Sequence, residues 1–341
     1  MSYSSFRKLI VVGFISVFLV IIAGSVVRMT GSGMGCPDWP KCFGYYIPPT
    51  DIDQLEWKPN HQFNKGQIII HDEALWTANV DFKTSTVLQE SNWEKYMKHD
   101  YAEFNPYHTW TEYINRLFGA LSGIICFWIL IASFRLKDKK KFIWLSTLIV
   151  LGMGFQAWLG ATVVYSVLAP AKITIHMLMA LIILVFFILL YERIPQDKQE
   201  KMSYPLKTKA IAISLFILSI VQVVLGTRVR QETDHLIEAN PFLERSEWLS
   251  NIEGIFNIHG TFAWLLVGFA ITLFVLVKNQ QNTSKLIAYT LGIIGMEFLV
   301  GLSFKYLDYP AASQPIHLIL ASLLFCSCYL IIHKMYAGKR V

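Results

Sequence analysis

Charge is scarce in this chain: Lys, Arg, Asp and Glu make up 16% of its 341 residues, against 54% hydrophobic ones. A soluble domain carries about a quarter charged residues, so the chain is read as built for lipid. Its net charge of +6 excludes no membrane role and signals no nucleic acid partner, because the basic residues sit beside the ends of apolar runs. Proline is missing from the middle of those runs. Pro170, Pro310 and Pro315 fall near their ends, whereas a two-repeat transporter would break helices at the bilayer middle. A compact four-ligand cluster of the kind zinc wants is not seen either.

What the chain does have is eight apolar runs, each able to cross a ~30 Å hydrocarbon core as a helix. The expected spans are 9–28, 113–134, 142–163, 173–191, 209–228, 256–277, 285–304 and 315–335. The first run follows Arg7 and Lys8 but is long for a signal peptide and lacks a small-residue cleavage site, so it is read as a retained anchor. Arg7-Lys8, Arg135 to Lys141, Arg193 to Lys209, Lys278 to Lys285 and Lys334 to Arg340 mark every second connection. The positive-inside rule then places both termini in the cytoplasm of a bacterial cell membrane. Segments 29–112 and 229–255 face outward. The first is too long for a bare loop and is expected to form a cap with some helix, around 84–100. It contains Cys36 and Cys42, which either close a structural disulfide or exchange thiols; Cys126, Cys326 and Cys328 are read as small core residues.

A repeat runs through the spans. Gln156-Ala-Trp-Leu-Gly160 precedes His176 as Glu297-Phe-Leu-Val-Gly301 precedes His317, with the same sixteen-residue step from glycine to histidine. Gln222-Val-Val-Leu-Gly226 copies the first motif, and Gly226-Thr-Arg-Val-Arg230 echoes Gly24-Ser-Val-Val-Arg28. The first four spans thus align with the last four as a parallel duplication: an all-α integral membrane fold of two four-helix halves, 1–204 and 205–341.

His176, His259 and His317 lie at the outward ends of the fourth, sixth and eighth spans, and intramembrane polar groups mark function. Two facing imidazoles from neighbouring helices suit haem iron, and His259 with His317 supplies such a pair. In the first half the place of His259 is taken by Asn115, so His176 lacks a partner and an axial position is open there. Arg28, Arg116, Arg228 and Arg230 lie near the same level, as forks for haem propionates or as headgroup contacts. Glu112, one turn from Asn115, is either a helix-end carboxylate or a proton-handling group beside the iron.

On Gly24 to Arg28 with Met-Thr-Gly-Ser-Gly-Met-Gly-Cys36-Pro-Asp-Trp-Pro, on Glu112-Tyr-Ile-Asn-Arg116 and on the three histidines, the chain resembles the haem A synthase family over nearly its whole length. The resemblance implies eight spans, substrate haem o processed in the N-terminal half and a haem b cofactor, with its iron, in the C-terminal half. It implies oxidation of the C8 methyl of haem o to a formyl, giving haem a for terminal oxidases. It also matches Cys36 and Cys42 to a cysteine pair in the first outer loop. The family's usual histidine after the glutamate is Asn115 here; His108 is the nearest substitute, but about 10 Å higher along the helix. Single ligation by His176 is therefore expected. Haem O synthase is a candidate partner and a homo-oligomer a candidate assembly, while no motif names the electron donor. The alternative, a non-enzymatic dihaem electron carrier, would want two bis-histidine sites.

Overall fold

Runs that lipid would surround must satisfy their own backbone, and each of them is helical in the computed structural model, which describes residues 1–137, 139–195 and 203–337. Lys198, Lys201, Lys339 and Arg340 of the basic stretches lie outside the described residues. The helices are α1 (Tyr3–Met29), α2 (Pro106–Ser133), α3 (Lys139–Tyr165), α4 (Pro170–Glu192), α5 (Leu206–Ala239), α6 (Arg245–Asn251), α7 (Glu253–Val277), α8 (Gln281–Tyr306) and α9 (Ser313–Ala337). Among the described residues eight, all but α6, are long and apolar enough to span a bilayer. The shortest of them, α4, has 23 residues and reaches about 35 Å at ~1.5 Å per residue. The protein is thus an all-α, multi-pass integral membrane protein, as composition implied.

Local signals set the helix starts and stops. Pro106 opens α2 with its φ already helical, and the Asn105 carboxamide accepts from Tyr107 N (3.0 Å) and His108 N (3.4 Å), capping two otherwise orphaned amides. Helix α5 runs eleven residues beyond the expected end at 228, to Ala239. An i,i+4 pair, Arg230 with Asp234 at 2.8 Å, supports that extension where the chain leaves the apolar run.

The chain packs as two compact units, one of residues 8–180 with Met1, the other of 181–341 with Ser2–Arg7. In the second unit α5 and α8 each pack against both α7 and α9, closing a four-helix ring. Leu215, Leu266, Ala270, Leu273, Ile287 and Ile331 fill its core.

In the first unit α2 packs on α3, and the outer segment is a small β-structure where a partly helical cap was expected. Its strands are β1 (Gln62–Phe63), β2 (Ile68–His71), β3 (Ala74–Ala78), β4 (Phe82–Lys83) and β5 (Trp93–Lys95). They form two antiparallel sheets, β1-β4 and β2-β3-β5. The β-branched run Ile68-Ile69-Ile70 favours strand. Asp72 and Glu73, both at positive φ (48° and 56°), make the two-residue turn that returns β2 into β3. Successive side chains point to opposite faces, so Ile68 joins a core with Cys36, Cys42 and Phe43, while Ile69 joins Phe63, Ala78 and Trp93. Residues 84–100 hold only a short 3₁₀ turn, 90–92, before β5. Helix loses there because Trp93 anchors that stretch, its ring edge-on to Phe63 at 5.0 Å and to Phe82 at 5.4 Å.

Candidate functional site

The glycine-to-histidine spacing has a direct geometric meaning. A methyl group built on Gly160 would lie 3.4 Å from His176 Cε1, and one on Gly226 3.3 Å from His259 Cε1. The same construction on Gly301 gives 4.0 Å to His317 Cε1, and on Gly24 gives 3.8 Å to Asn115 Oδ1. Each glycine is the gap in its helix into which the ring, or in one case the amide, is laid. The space these glycines leave is occupied by the candidate ligands themselves.

One turn before Gly160, Gly226 and Gly301 sits a second polar residue, where Gly24 has Val20, and here the copies diverge. Gln156 Nε2 donates to the main-chain oxygen of His176 and Gln222 Nε2 to that of His259, both at 2.9 Å. Position 297 carries glutamate, whose carboxylate contacts His317 Nδ1 instead. Nδ1 of His176, Nδ1 of His259 and Oδ1 of Asn115 are buried without a hydrogen-bond partner among the described residues, and buried His317 Nδ1 has the close Glu297 contact alone. The sequence repeat marked position 297 but not this contact.

His259 and His317 face each other across α7 and α9, ring centroids 6.1 Å apart and planes at 76°. Two metal–imidazole bonds of about 2.1 Å each, plus the radii of the two rings, come to about 6.5 Å, close to that separation, so the pair could hold one iron after a small adjustment. A compact metal site does not compete: among the described residues no group of three or more His, Cys, Asp and Glu side chains gathers. The donor set suits a haem, held by imidazoles from two helices with apolar walls around it.

In the first unit the corresponding elements place His176 in the first two turns of α4 and Asn115 on α2. His108 is in the first turn of α2, where its carbonyl lies so close to Gly35 that a methyl there would be at 2.4 Å. Glu112 is buried, 5% exposed, and both its oxygens are engaged. Oε2 accepts from Cys36 N at 2.9 Å, and Oε1 from Arg116 at 2.6 Å. Arg116 goes on to the carbonyls of Asp38 (2.9 Å), Lys41 (2.8 Å) and Cys36 (3.3 Å). Its fork is therefore spent on the outer loop. Arg230 is likewise taken up by Asp234 and Gln314, Arg228 reaches Gln231 Oε1 at 3.3 Å, and Arg28 closes the last turn of α1.

Cys36 and Cys42 form a disulfide, Cα atoms 4.7 Å apart, with both residues buried. Cys126, Cys326 and Cys328 are free and buried. Within the bridged loop stands a group that sequence reading passed over, Asp38. Oδ2 accepts from Gly44 N at 2.9 Å, while Oδ1 is buried without a partner among the described residues. Desolvation holds this carboxyl above the ordinary carboxylate range, outweighing the Gly44 amide and the Arg116 charge. The same loop is pinned by Tyr96 and His99 on the Pro37 carbonyl, at 3.1 and 2.8 Å.

Known proteins resemble this chain along most of its length. Residues 7–329 match the family model COX15-CtaA, cytochrome oxidase assembly protein. The chain is 24% identical to a Heme A synthase of Flavobacterium johnsoniae, over 95% of both chains. It is 25% identical to a Heme A synthase of the Wolbachia of Brugia malayi, over 93% of this chain and 94% of the relative. With a Heme A synthase of Shewanella oneidensis it shares 28% identity over 61% of this chain, spanning about half (52%) of that relative. An eight-span helical protein with imidazoles set into glycine gaps, matched along nearly its whole length, belongs to the COX15-CtaA cytochrome oxidase assembly family, the family of the haem A synthases.

Proposed function

We propose that the protein oxidises the C8 methyl of haem o to a formyl by successive hydroxylations, giving haem a for terminal oxidases. It is an oxidoreductase of haem A biosynthesis acting on haem o in the membrane. The N-terminal half, 1–204, holds the substrate, and the C-terminal half, 205–341, holds a haem b. The inequality of the two halves supports this reading: His259 and His317 face each other at 6.1 Å, whereas the position of His259 is Asn115 in the first half.

Each residue then has a task. His259 and His317 hold the haem b iron, and that group supplies one-electron redox chemistry when bound. His176 holds the substrate iron, and Asn115 leaves the opposite side without an imidazole, since an amide is a poor iron ligand. His108, in the first turn of α2, sits too far up the helix to replace Asn115. Glu112, one turn from Asn115, handles protons beside the substrate, with Arg116 balancing its charge. Arg228, which reaches Gln231 Oε1 at 3.3 Å, and Arg28 are the guanidiniums assigned to propionates. Arg116 and Arg230, with several acceptors each, serve them only by rearranging.

The basic connections support a reading with both termini on the cytoplasmic side of a bacterial cell membrane, with haem O synthase as the supplier of substrate and a homo-oligomer as a compatible assembly. The test is co-expression with a haem O synthase followed by pigment extraction. Haem a should appear only when this protein is present; haem o left unchanged would remove the proposal. His317→Ala should lose the low-spin haem b signal, and His176→Ala should mainly lose turnover. Equal loss of tightly bound haem b in both variants would make the protein a dihaem carrier instead.

A further inference from the structure

Three imidazoles sit in glycine gaps of the same design, yet only one has a carboxylate beside it. The reason lies in the chemistry of an amide against a carboxylate. Gln156 and Gln222 carry N–H donors, and each spends one on the carbonyl of the histidine it accompanies, at 2.9 Å. Glu297 stands one turn before its own glycine, as they do, but as a carboxylate it has only acceptors to offer. A carbonyl gives it nothing to accept from, and its contact is with Nδ1 of the His317 ring. That ring is held further by Phe304, edge-on at 5.5 Å and 89°, and by the Gly301 gap. Nδ1 of His259, across the site, has no such carboxylate contact among the described residues.

We infer that Glu297 is a positioning residue that makes His317 the stronger of the two axial donors and lowers the reduction potential of the haem held between His317 and His259. The inference rests on the assignment of those two histidines as haem b ligands. A carboxylate accepting the Nδ1 proton fixes the ring tautomer, leaves Nε2 for iron, and makes the imidazole a better electron donor. A richer donor stabilises ferric over ferrous iron. The second half of the duplication thus differs from the first by an acidic companion as well as by an added histidine.

The test is the midpoint potential and low-spin spectrum of the bound haem in purified protein, measured by optical redox titration and electron paramagnetic resonance. Glu297→Gln restores the amide of the sibling positions and directs it to the His317 carbonyl. Haem should stay bound while its preference for the ferric state weakens about tenfold, a rise of about 59 mV for a one-electron couple. Gln222→Glu places a carboxylate beside His259 and should move the potential the other way. Unchanged potential and spectrum in Glu297→Gln overturn the inference. If Glu297→Gln loses its haem, the downward shift in Gln222→Glu supports the inference, and no shift there overturns it. Wild-type protein without a low-spin haem b, or one that His317→Ala leaves intact, would instead overturn the ligand assignment itself.

Discussion

Replacing Glu112 by Gln keeps the shape of the side chain while removing its charge and one acceptor. In the native site one oxygen accepts from Cys36 N and the other from Arg116, at 2.9 and 2.6 Å. A carboxamide cannot serve both: whichever way it turns, its NH₂ faces a donor. One charge-assisted hydrogen bond is lost, worth ~1.5–3 kcal/mol. Breaking a buried ion pair outright costs about 3–5 kcal/mol. Arg116 retains three carbonyl acceptors, which keeps the loss near the lower range. The pair is shielded from water, with side-chain exposures of 14% and 6%, so solvent screening discounts it little. A loss of ~2–3 kcal/mol in the anchoring of the bridged loop raises its open population roughly 30- to 150-fold. The Cys36–Cys42 bridge is buried, at 0% and 1% exposure, so its reduction by a small thiol reports loop opening. Mass-tagged thiol labelling of Glu112→Gln should show reduction accelerated by that factor, alongside any loss of haem a formation. If turnover falls while the reduction rate stays at the wild-type value, the anchoring argument is wrong and Glu112 acts on the reaction alone.

Other substitutions give sharp outcomes. Gly226→Ala puts a methyl 3.3 Å from His259 Cε1 and should disturb the low-spin haem spectrum, whereas Gly301→Ala, with 4.0 Å available, should disturb it less. Asn115→His adds an imidazole to the first unit, and haem o bound to that variant should turn low-spin in absorption and resonance spectra while turnover falls. Burial raises the Asp38 pKa above its ordinary 3.8, so the folded loop binds that proton more tightly than the unfolded chain does. The stability this group contributes is fully present below pH 3.8 and is lost as pH rises through the raised value. Asp38→Asn should therefore flatten the pH dependence of bridge reduction and slow it near neutral pH; an unchanged profile would refute the assignment. Cys36→Ser with Cys42→Ser should cost about 2 kcal/mol for so short a loop, seen as lower thermal stability of the outer segment.

The membrane part was legible because lipid leaves so few options. An apolar run of twenty residues must be a helix, and a repeat in sequence must be a repeat in space, so the eight spans and the recurrence of a glycine-to-histidine step at His176 and His317 could be read directly. The outer segment was not legible in the same way. Its strands are two to five residues long, too short for alternation to declare itself. They exist because Trp93, Phe63 and Phe82 meet from distant positions. Partner choice was equally hidden. Arg116 read as a ligand fork, but its acceptors are carbonyls 75 to 80 residues away, set by how the bridged loop lands on α2. Glu297 was visible as the exception in a row of glutamines. Its contact with a ring nitrogen, where its siblings contact a carbonyl, follows only once the hairpin geometry is known.

The fastening of the outer segment to α2 has one more consequence. Gly35 lies flush on the His108 carbonyl, Cys36 N is tied to Glu112, and the far end of the segment returns through the Asn105 cap of that same helix. Entry and exit are thus riveted within three turns of one another. The part between Cys42 and Asn105 that lies away from Ile68, Tyr96 and His99 is an insertion on a closed hoop, free to lengthen, shorten or change its surface without altering the register of α2. Such a module can be exchanged as a cartridge, and variation in it should leave Asn115 where it stands.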